Sequence, residues 1–366
     1  MTVNICSETE IFNIHGEGVS TSFATCVELL QQSDDIEISI NDEKIGDVMH
    51  CHTYGPYYFW RGRKYKGKKI HTAHVIPDSA KGTFPGYKLL MPFFNWYLKK
   101  VFSYSDVCIA ISPMVEKAIR ELSPETTVVS ISNPILLDTW RRTPELRKKG
   151  REILGLKEDD FCVMCVGQLE NRKGCVDFVE IGKQIPKAQF RWVGGRPFGI
   201  YTDGYWNINQ EMNTAPENIK FSGIFPLSEM PCLYAAGDLF IFPSYQENCP
   251  LAPLEAAASG MPVIFRNLDE YKMLYKNEYL KADNNEEFIN AITTIQYDKS
   301  AYQEGLGISK NLISQFDKNV IRGQLIRLYK MLNNNPLGLK NGEFEQAEFL
   351  NNEAVMEEKY YTFQEV

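Results

Sequence analysis

Residues 242–255 read Phe-Pro-Ser-Tyr-Gln-Glu-Asn-Cys-Pro-Leu-Ala-Pro-Leu-Glu, and this stretch is the most informative part of the chain. The apolar run Leu239-Phe-Ile-Phe242 leads into it and predicts a strand. The prolines suit the first turn of a helix that continues through an alanine-rich run to Gly260. Glu247 is therefore expected in a loop, and Glu255 on the helix that follows this loop.

A loop that enters a helix start in this way suits a particular ligand. The first N–H groups of a helix have no partner inside the helix, and the positive end of the helix dipole lies behind them. Such a site favours a phosphate, and the carboxylates of Glu247 and Glu255 can accept hydrogen bonds from sugar hydroxyls. The stretch therefore predicts a pocket for a sugar nucleotide.

The rest of the chain alternates short apolar strands with longer helical segments. This alternation is typical of βαβ units with parallel sheets, so the predicted fold class is α/β. The length of 366 residues exceeds the size at which a single core usually stops growing. We predict two Rossmann-like domains, residues 1–140 and 141–333. Residues 334–366 form an acidic tail, whose order the sequence leaves open and for which a helix docked on the first domain is one option.

The Glu-x7-Glu pattern of Glu247 and Glu255 resembles the signature of the retaining glycosyltransferases that adopt the GT-B fold. Further segments follow in the order that this family shows, and together they cover most of residues 160–270. They are Gly167-Gln-Leu-Glu-Asn-Arg-Lys-Gly174, Ser222-Gly-Ile224, Leu233-Tyr-Ala-Ala-Gly-Asp238 and Gly260-Met-Pro-Val263.

This resemblance implies two Rossmann-like domains that face a central cleft, the first holding the acceptor and the second the nucleotide sugar. In that fold the last helices return to the first domain. The run His15-Gly-Glu-Gly-Val19 and the pattern after Gly167 look most like bacterial enzymes that glycosylate diacylglycerol or monoglycosyl-diacylglycerol. The resemblance therefore implies transfer of a hexose, with retention, from a nucleotide sugar such as UDP-glucose or UDP-galactose to a membrane lipid.

The resemblance also implies roles for residues of the second half. Glu247 would bond the hydroxyls of the donor sugar and Glu255 the ribose, while Arg172 and Lys173 would clamp the diphosphate. The family usually carries Arg where this chain has Gln168, so Arg172 is expected to supply that phosphate contact. The turn between the two carboxylates would be shaped by Asn248, Cys249, Pro250 and Leu251. Its available backbone N–H groups would face the donor diphosphate, and Pro250 has none to offer.

In the first half, His74 matches the family's histidine beside the transferred sugar, and a core histidine is the alternative reading. Gly16 and Gly18 would let the backbone approach the donor, although a plain flexible turn would also explain them. His15 is left undecided. His50, His52 and His71 are read as structural.

No metal or other cofactor is expected, because the family stabilises the leaving diphosphate with side chains and helix dipoles. No Asp-x-Asp motif occurs in the chain. Cys162-Val-Met-Cys165 lies in an apolar run without a second cysteine pair, so its thiols are expected in the core.

Charge is unevenly distributed along the chain. Residues 48–105 contain ten cations against Asp78 alone, whereas the whole chain has a net charge of −8. Cations and interfacial aromatic side chains together suit an anionic membrane surface, where each cation contributes about 1 kcal/mol. A solvated basic loop beside core aromatics is the alternative. The residues expected at this membrane or acceptor surface are Trp60, Arg61, Arg63, Lys64, Lys66, Lys68, Lys69 and Trp96.

Composition bounds the location and the partners. Nine cysteines and the absence of a leading apolar run favour a reduced, cytoplasmic setting, with peripheral attachment to the inner face of the membrane. A sequence pI of about 5.4 and the absence of a recognisable nucleic-acid-binding module argue against nucleic acid as a partner. Three alternatives remain open: a soluble polysaccharide or protein acceptor, a nucleotide-sugar epimerase, and a non-catalytic partner subunit.

Overall fold

Two six-stranded sheets form the framework of the molecule, and every pairing of neighbouring strands is parallel. The computed structural model describes residues 1–11, 18–42, 46–53, 55–80, 87–196, 199 and 202–334. Helices lie between most successive strands in both halves and provide the crossovers that parallel pairing requires. The predicted α/β class is confirmed.

The first sheet is built from residues 2–130. Its strands are β1 (Thr2–Cys6), β2 (Glu37–Ile40), β3 (Val48–Cys51), β4 (Lys68–Ala73), β5 (Val107–Ala110) and β6 (Val128–Ser130), and they lie in the order β2-β1-β3-β4-β5-β6. The helices of this half are α1 (Glu8–Ile11), α2 (Gly18–Gln31), α3 (Pro56–Gly62), α4 (Tyr87–Tyr104) and α5 (Pro113–Leu122). A short 3-10 helix spans Pro77–Ala80.

The second sheet is built from residues 162–282. Two helices lead to it, α6 (Leu137–Trp140) and α7 (Pro144–Leu154). Its strands are β7 (Cys162–Val166), β8 (Gln189–Val193), β9 (Ile219–Phe221), β10 (Leu239–Phe242), β11 (Val263–Arg266) and β12 (Leu280–Ala282), in the order β12-β11-β10-β7-β8-β9. The remaining helices are α8 (Cys175–Gln184), α9 (Tyr205–Thr214), α10 (Met230–Ala236), α11 (Ala252–Ala258), α12 (Asp269–Leu274), α13 (Asn285–Tyr297), α14 (Lys299–Ser314) and α15 (Lys318–Asn334).

Strand order determines where a ligand can bind. In the second sheet the chain begins at β7, adds β8 and β9 on one side and then β10, β11 and β12 on the other. The connections after β7 and β10 therefore leave the sheet in opposite directions and open a crevice at the carboxyl ends of these strands. Parallel α/β sheets bind their ligands at such crevices.

The helix before the second sheet has clear start and stop signals. The Thr143 side chain caps α7 by accepting a hydrogen bond from the N–H of Leu146 at 3.2 Å, and Pro144 fills the first turn. Gly155 ends the helix with φ of +62°, a left-handed conformation that glycine adopts at low cost. The charged stretch from Thr143 to Leu154 therefore carries the start and stop signals of this helix in its own sequence.

The last described helix returns to the first sheet. Ile321, Leu325 and Leu328 of α15 are buried against a core that includes Val3 and Ile5 of β1. The predicted boundaries place this helix in the second domain, yet its apolar face packs on the first sheet. The predicted domain boundaries stay predictions, and the predicted acidic tail lies outside the described residues.

Candidate functional site

Two loops meet at the carboxyl ends of β7 and β10. These strands are neighbours in the sheet, so the loop at 167–174 and the loop at 243–251 leave it side by side. The carbonyl of Arg172 accepts hydrogen bonds from the N–H of Tyr245 at 2.7 Å and from Ser244 Oγ at 3.0 Å. The two loops are therefore joined through their backbones.

Gly174 makes this close approach possible. Its φ is +74°, and a Cβ at this position would lie 2.4 Å from the carbonyl oxygen of Pro243. Any side chain there would push the two loops apart. The glycine that ends the 167–174 loop thus holds the cations of this loop beside Glu247.

Glu247 is 7% exposed and is surrounded by cations. Its Oε1 accepts a hydrogen bond from Ser244 Oγ at 2.6 Å and contacts Lys173 Nζ, while Arg172 Nη1 lies 4.0 Å from Oε2. Burial acts to raise the pKa of Glu247, but Lys173 and Arg172 outweigh burial and bring this pKa below its ordinary value. The carboxylate is therefore ionised at neutral pH and can only accept hydrogen bonds.

Glu170 balances the second cation. Arg172 Nε lies 2.8 Å from Glu170 Oε2, and Glu170 is 1% exposed. Burial raises the pKa of Glu170 even though Arg172 and Lys173 act to lower it. Two cations and two carboxyl groups therefore lie together where the two loops meet. Glu170 was not among the site residues expected from the sequence.

Glu255 lies on α11, as predicted, and is 8% exposed. Its Oε2 accepts a hydrogen bond at 2.7 Å from the hydroxyl of Tyr234, a fully buried residue of α10. Burial raises the pKa of Glu255 to about 7, although the hydrogen bond from Tyr234 acts to lower it. In the sequence, Tyr234 stands out only as part of the motif Leu233–Asp238. Its position just before β10 is the one signal that points to this contact.

His74 follows β4 and is only partly exposed. Its Nε2 lies 3.2 Å from Nδ1 of His52, and the two rings stack with centroids 5.4 Å apart. Burial, with a smaller contribution from His71, lowers the pKa of His74 to about 3, so the ring is neutral at physiological pH. We read His52 as structural from the sequence, and the structure brings it into direct contact with His74.

The second-half loop touches the first half at this histidine. Nδ2 of Asn248 lies 3.0 Å from the carbonyl oxygen of His74 and 2.8 Å from Oγ of Ser79. Cys249 is buried, which raises its pKa to about 12, and Leu251 immediately precedes α11. The structure thus joins His74 to the loop that carries Glu247.

Of the two glycines predicted to let the backbone approach the donor, the structure describes Gly18. Gly18 is the first residue of α2, and a Cβ there would meet no atom within 4 Å. Its position does not require a glycine for space. Gly16 and the undecided His15 lie outside the described residues.

One group of described side chains has the composition of a metal site. Cys26, His50 and His52 are buried, with one possible ligand atom from each lying within 4.8 Å of the others. Both ring nitrogens of His50 already have partners, Tyr329 Oη at 2.7 Å and Thr72 Oγ1 at 2.6 Å. Burial also raises the pKa of the Cys26 thiol to about 12. A metal would have to displace a hydrogen bond and ionise this thiol, so this group fits a metal ion poorly.

The Cys162–Cys165 pair lies in β7 and is buried, as expected. Burial raises the pKa of the Cys162 thiol to about 12. These are core thiols.

The basic and aromatic segment is only partly at the surface. Trp60 is 60% exposed and Trp96 is 54% exposed, with the guanidinium of Arg63 5.2 Å from the Trp60 ring. Lys69 lies over the ring of Tyr104 at 4.7 Å. Arg63, Lys64 and Lys66 are exposed, whereas Arg61, Lys68 and Lys69 are half-buried.

Helix α4 carries apolar side chains that the sequence analysis did not select. Leu89 is 87% exposed, Phe93 is 67% exposed, and Leu90 is also exposed. Leu89, Phe93 and Trp96 follow the spacing of one helical face, which was the signal available in the sequence. Among the described residues, no helix has both the length and the apolar character needed to cross a bilayer.

Two family models match the chain. The model described as glycosyl transferases group 1 matches residues 160–298, which include both site loops, and the model described as glycosyltransferase family 4 matches residues 43–139. Together they cover strands of both sheets.

Two curated relatives have names that state an activity. The chain is 31% identical over 329 residues to the alpha-galactosylglucosyldiacylglycerol synthase of Streptococcus pneumoniae, covering 87% of this chain and 86% of that protein. It is 25% identical over 266 residues to the processive diacylglycerol alpha-glucosyltransferase of Acholeplasma laidlawii, covering 72% of this chain and 79% of that protein.

Solved structures share the architecture at low sequence identity. HepE of Anabaena, in complex with UDP and glucose, gives a TM-score of 0.69 at 17% identity over 90% of this chain and 99% of that one. Sucrose-phosphate synthase of Thermosynechococcus elongatus gives a TM-score of 0.73 at 17% identity, over 91% of this chain and 99% of that one. Two parallel sheets, a site at the crevice of the second sheet and a relative that is 31% identical over 86% of its length lead to one conclusion. The chain belongs to the glycosyltransferases of the GT-B fold.

Proposed function

We propose that this glycosyltransferase moves a hexose, with retention, from a UDP-sugar to a diacylglycerol-based lipid at a membrane surface. The observation that carries the choice of acceptor is the exposed apolar face of α4, formed by Leu89, Leu90, Phe93 and Trp96. The relatives named for diacylglycerol products support the same choice. UDP is the proposed nucleotide, since HepE was solved with UDP and glucose.

The donor diphosphate would rearrange the ion pairs of the site. In the structure, Lys173 contacts Glu247 and Arg172 pairs with Glu170. A diphosphate carries about two negative charges and would compete for both cations through charge-assisted hydrogen bonds. Glu247 would then turn its ionised carboxylate to the hydroxyls of the donor sugar.

The reaction itself is a substitution at the anomeric carbon. The bond from this carbon to the donor phosphate oxygen breaks while a bond to the acceptor oxygen forms on the same face. The acceptor proton passes to the departing phosphate. Arg172 and Lys173 would stabilise the charge that develops on the diphosphate, so the proposed reaction needs no metal ion.

The acceptor side belongs to the first half. Phe59 of α3 packs against Tyr97 of α4 with ring centroids 5.5 Å apart, so the two helices that carry Trp60 and Trp96 are in contact. Apolar side chains that enter the acyl boundary, with cations near the headgroups, are the means by which peripheral proteins hold to a bilayer. We therefore propose peripheral attachment through α3 and α4.

The test is transfer in a defined membrane. Purified protein is incubated with UDP-glucose or UDP-galactose and with phosphatidylglycerol vesicles that contain diacylglycerol or monoglucosyl-diacylglycerol. Mass spectrometry should detect a glycolipid one hexose heavier than the acceptor, with and without a metal chelator. The anomeric proton coupling of the product, measured by NMR, should show the configuration of the donor.

Three outcomes would contradict the proposal. Transfer to soluble oligosaccharides but not to lipid would move the acceptor out of the membrane. Conversion of one UDP-hexose into another without transfer would identify an epimerase. Vesicle binding with no product from any nucleotide sugar would indicate a non-catalytic subunit.

A further inference from the structure

Asn248 forms a bridge between the two halves of the site. Its Nδ2 lies 3.0 Å from the carbonyl oxygen of His74 and 2.8 Å from Oγ of Ser79. His74 follows β4 of the first sheet, and Asn248 follows β10 of the second. The same amide group therefore connects loops that are 174 residues apart in the chain.

The chemistry of the partners fixes the orientation of this amide. A backbone carbonyl can only accept a hydrogen bond, so the amide atom that faces His74 must be the NH2 group. One N–H is donated to the His74 carbonyl, and the other can be donated to Ser79. Within the described part of the chain no group donates to the buried Oδ1. The N–H groups alone therefore orient the side chain.

The neighbour of Asn248 in the sequence is the main carboxylate of the site. Glu247 is held by Lys173 and Ser244. His74 is held in turn by its ring contact with His52. A displacement of the Asn248 loop would thus move Glu247 relative to His74. The two sides of the cleft would then shift relative to each other.

We propose that Asn248 is a positioning residue that keeps the Glu247 loop and the His74 loop in register for sugar transfer. This inference rests on the proposed function, since it assumes that the sugar lies between these two loops. Asn248 acts through Glu247 and His74, so it should influence the alignment of the reactants more than the affinity for the nucleotide. A misplacement of about 1 Å can reduce turnover by about 100-fold.

The test compares Asn248→Ala with a matched control. Asn277→Ala removes a half-buried amide with the same kinds of partner, the Asn311 carbonyl at 2.8 Å and the Ser314 hydroxyl at 3.4 Å. We expect Asn248→Ala to reduce kcat by about 10- to 100-fold while the Kd for UDP, measured by calorimetry, changes less than about threefold. Asn277→Ala should leave both constants unchanged.

Ser79→Ala isolates one branch of the bridge. It keeps the bond to the His74 carbonyl, so its effect on kcat should be smaller than that of Asn248→Ala. Combining the two substitutions gives a double-mutant cycle, in which the second substitution should have a smaller effect than it has alone. Purely additive effects would show that Asn248 does not act through Ser79 and would overturn this branch of the bridge.

A measurement without substrate separates this inference from the proposed function. Small-angle X-ray scattering of the free protein should give a larger radius of gyration for Asn248→Ala than for the wild type, because the bridge no longer closes the cleft. This readout holds whichever acceptor the enzyme uses. An unchanged radius together with an unchanged kcat would overturn the inference. A loss of UDP affinity equal to the loss of kcat would also overturn it, because Asn248 would then act on the donor directly.

Discussion

At the scale of single residues, the site depends on the cation that contacts Glu247. Lys173→Ala should reduce kcat by about 100- to 1,000-fold, because one donor to the developing negative charge is lost. Glucosyl or galactosyl transfer to lipid is the measurement, with thermal unfolding to show that the fold remains. Lys183→Ala removes an exposed lysine that pairs with Glu211 at 2.8 Å and serves as the control. Wild-type turnover in Lys173→Ala would refute the diphosphate clamp.

The burial of Glu255 predicts a pH effect, which its hydrogen bond from Tyr234 moderates. The pKa of Glu255 is raised from 4.5 to about 7, so the folded protein holds its proton between these values while the unfolded chain releases it. The contribution of this group to the free energy of unfolding therefore falls as pH rises through that window. Binding of the ribose, by contrast, favours the ionised form, which accepts hydrogen bonds more strongly.

Tyr234→Phe tests this effect with a nearly isosteric side chain. It removes a hydrogen bond of about 1 kcal/mol that stabilises the carboxylate, so the acidic limb of kcat/KM for the donor should move about 0.7 pH units higher. At high pH the two enzymes should converge. A profile that stays in place would mean that Glu255 does not contact the donor.

Sequence predicted the principal carboxylates but not their partners. Glu247, Glu255, Arg172 and Lys173 lie in segments that match the motifs of the glycosyltransferase family, so the resemblance to that family carries the information. Tyr234, Glu170 and His52 act through contacts between elements that are separate in the sequence. Their contacts follow from the packing of β7 beside β10 and of β3 beside β4, which no local pattern encodes.

At the scale of elements, strands and the capped helix α7 were readable, because their signals are local. The continuation of α4 through Pro92 could not be predicted in this way, since a proline inside a helical pattern ordinarily ends or kinks the helix. Its buried face includes Leu98, Val101 and Phe102, which pack into the core. Tertiary packing therefore overrides the local preference of the proline.

The contact between α7 and β10 gives a prediction about stability. Asp238 receives hydrogen bonds from Arg147 Nη2 at 2.6 Å and from the N–H of Cys162 at 2.8 Å, and Arg151 lies 3.4 Å away. Asp238→Ala leaves these cations without their carboxylate and should cost about 3 kcal/mol of unfolding free energy, measured by urea denaturation.

The control for this substitution is Asp138→Ala. Asp138 pairs with Lys318 at 2.7 Å, but its side chain is 81% exposed. Surface pairs of this kind contribute about 1 kcal/mol or less. Equal losses in the two variants would show that Asp238 is not a structural link between α7 and the second sheet.

At the scale of the whole molecule, the chain crosses between the two halves more than once. After the second sheet, α15 returns to the first, where Tyr329 bonds His50 at 2.7 Å and Lys330 pairs with Asp35 at 2.8 Å. The resemblance implied such a return, whereas sequence position alone put this helix with the second domain. Long-range pairing of this kind depends on which apolar face is left uncovered, and this is a property of the assembled fold.

The uneven distribution of charge and apolar surface predicts how the molecule meets a bilayer. The double variant Phe93→Ser/Trp96→Ser removes two exposed apolar side chains, whose burial contributes about 2 kcal/mol each, from the face of α4. Its binding to phosphatidylglycerol vesicles in a sedimentation assay should fall by at least about tenfold, while the Kd for UDP stays the same. Raising the salt concentration should weaken wild-type binding as well, since cations contribute to it.

Trp206→Ser, which removes a tryptophan that is 80% exposed on α9, should bind vesicles like the wild type. Equal losses in both variants would mean that exposed aromatic side chains adsorb to lipid wherever they lie, and α4 would lose its role as the membrane face.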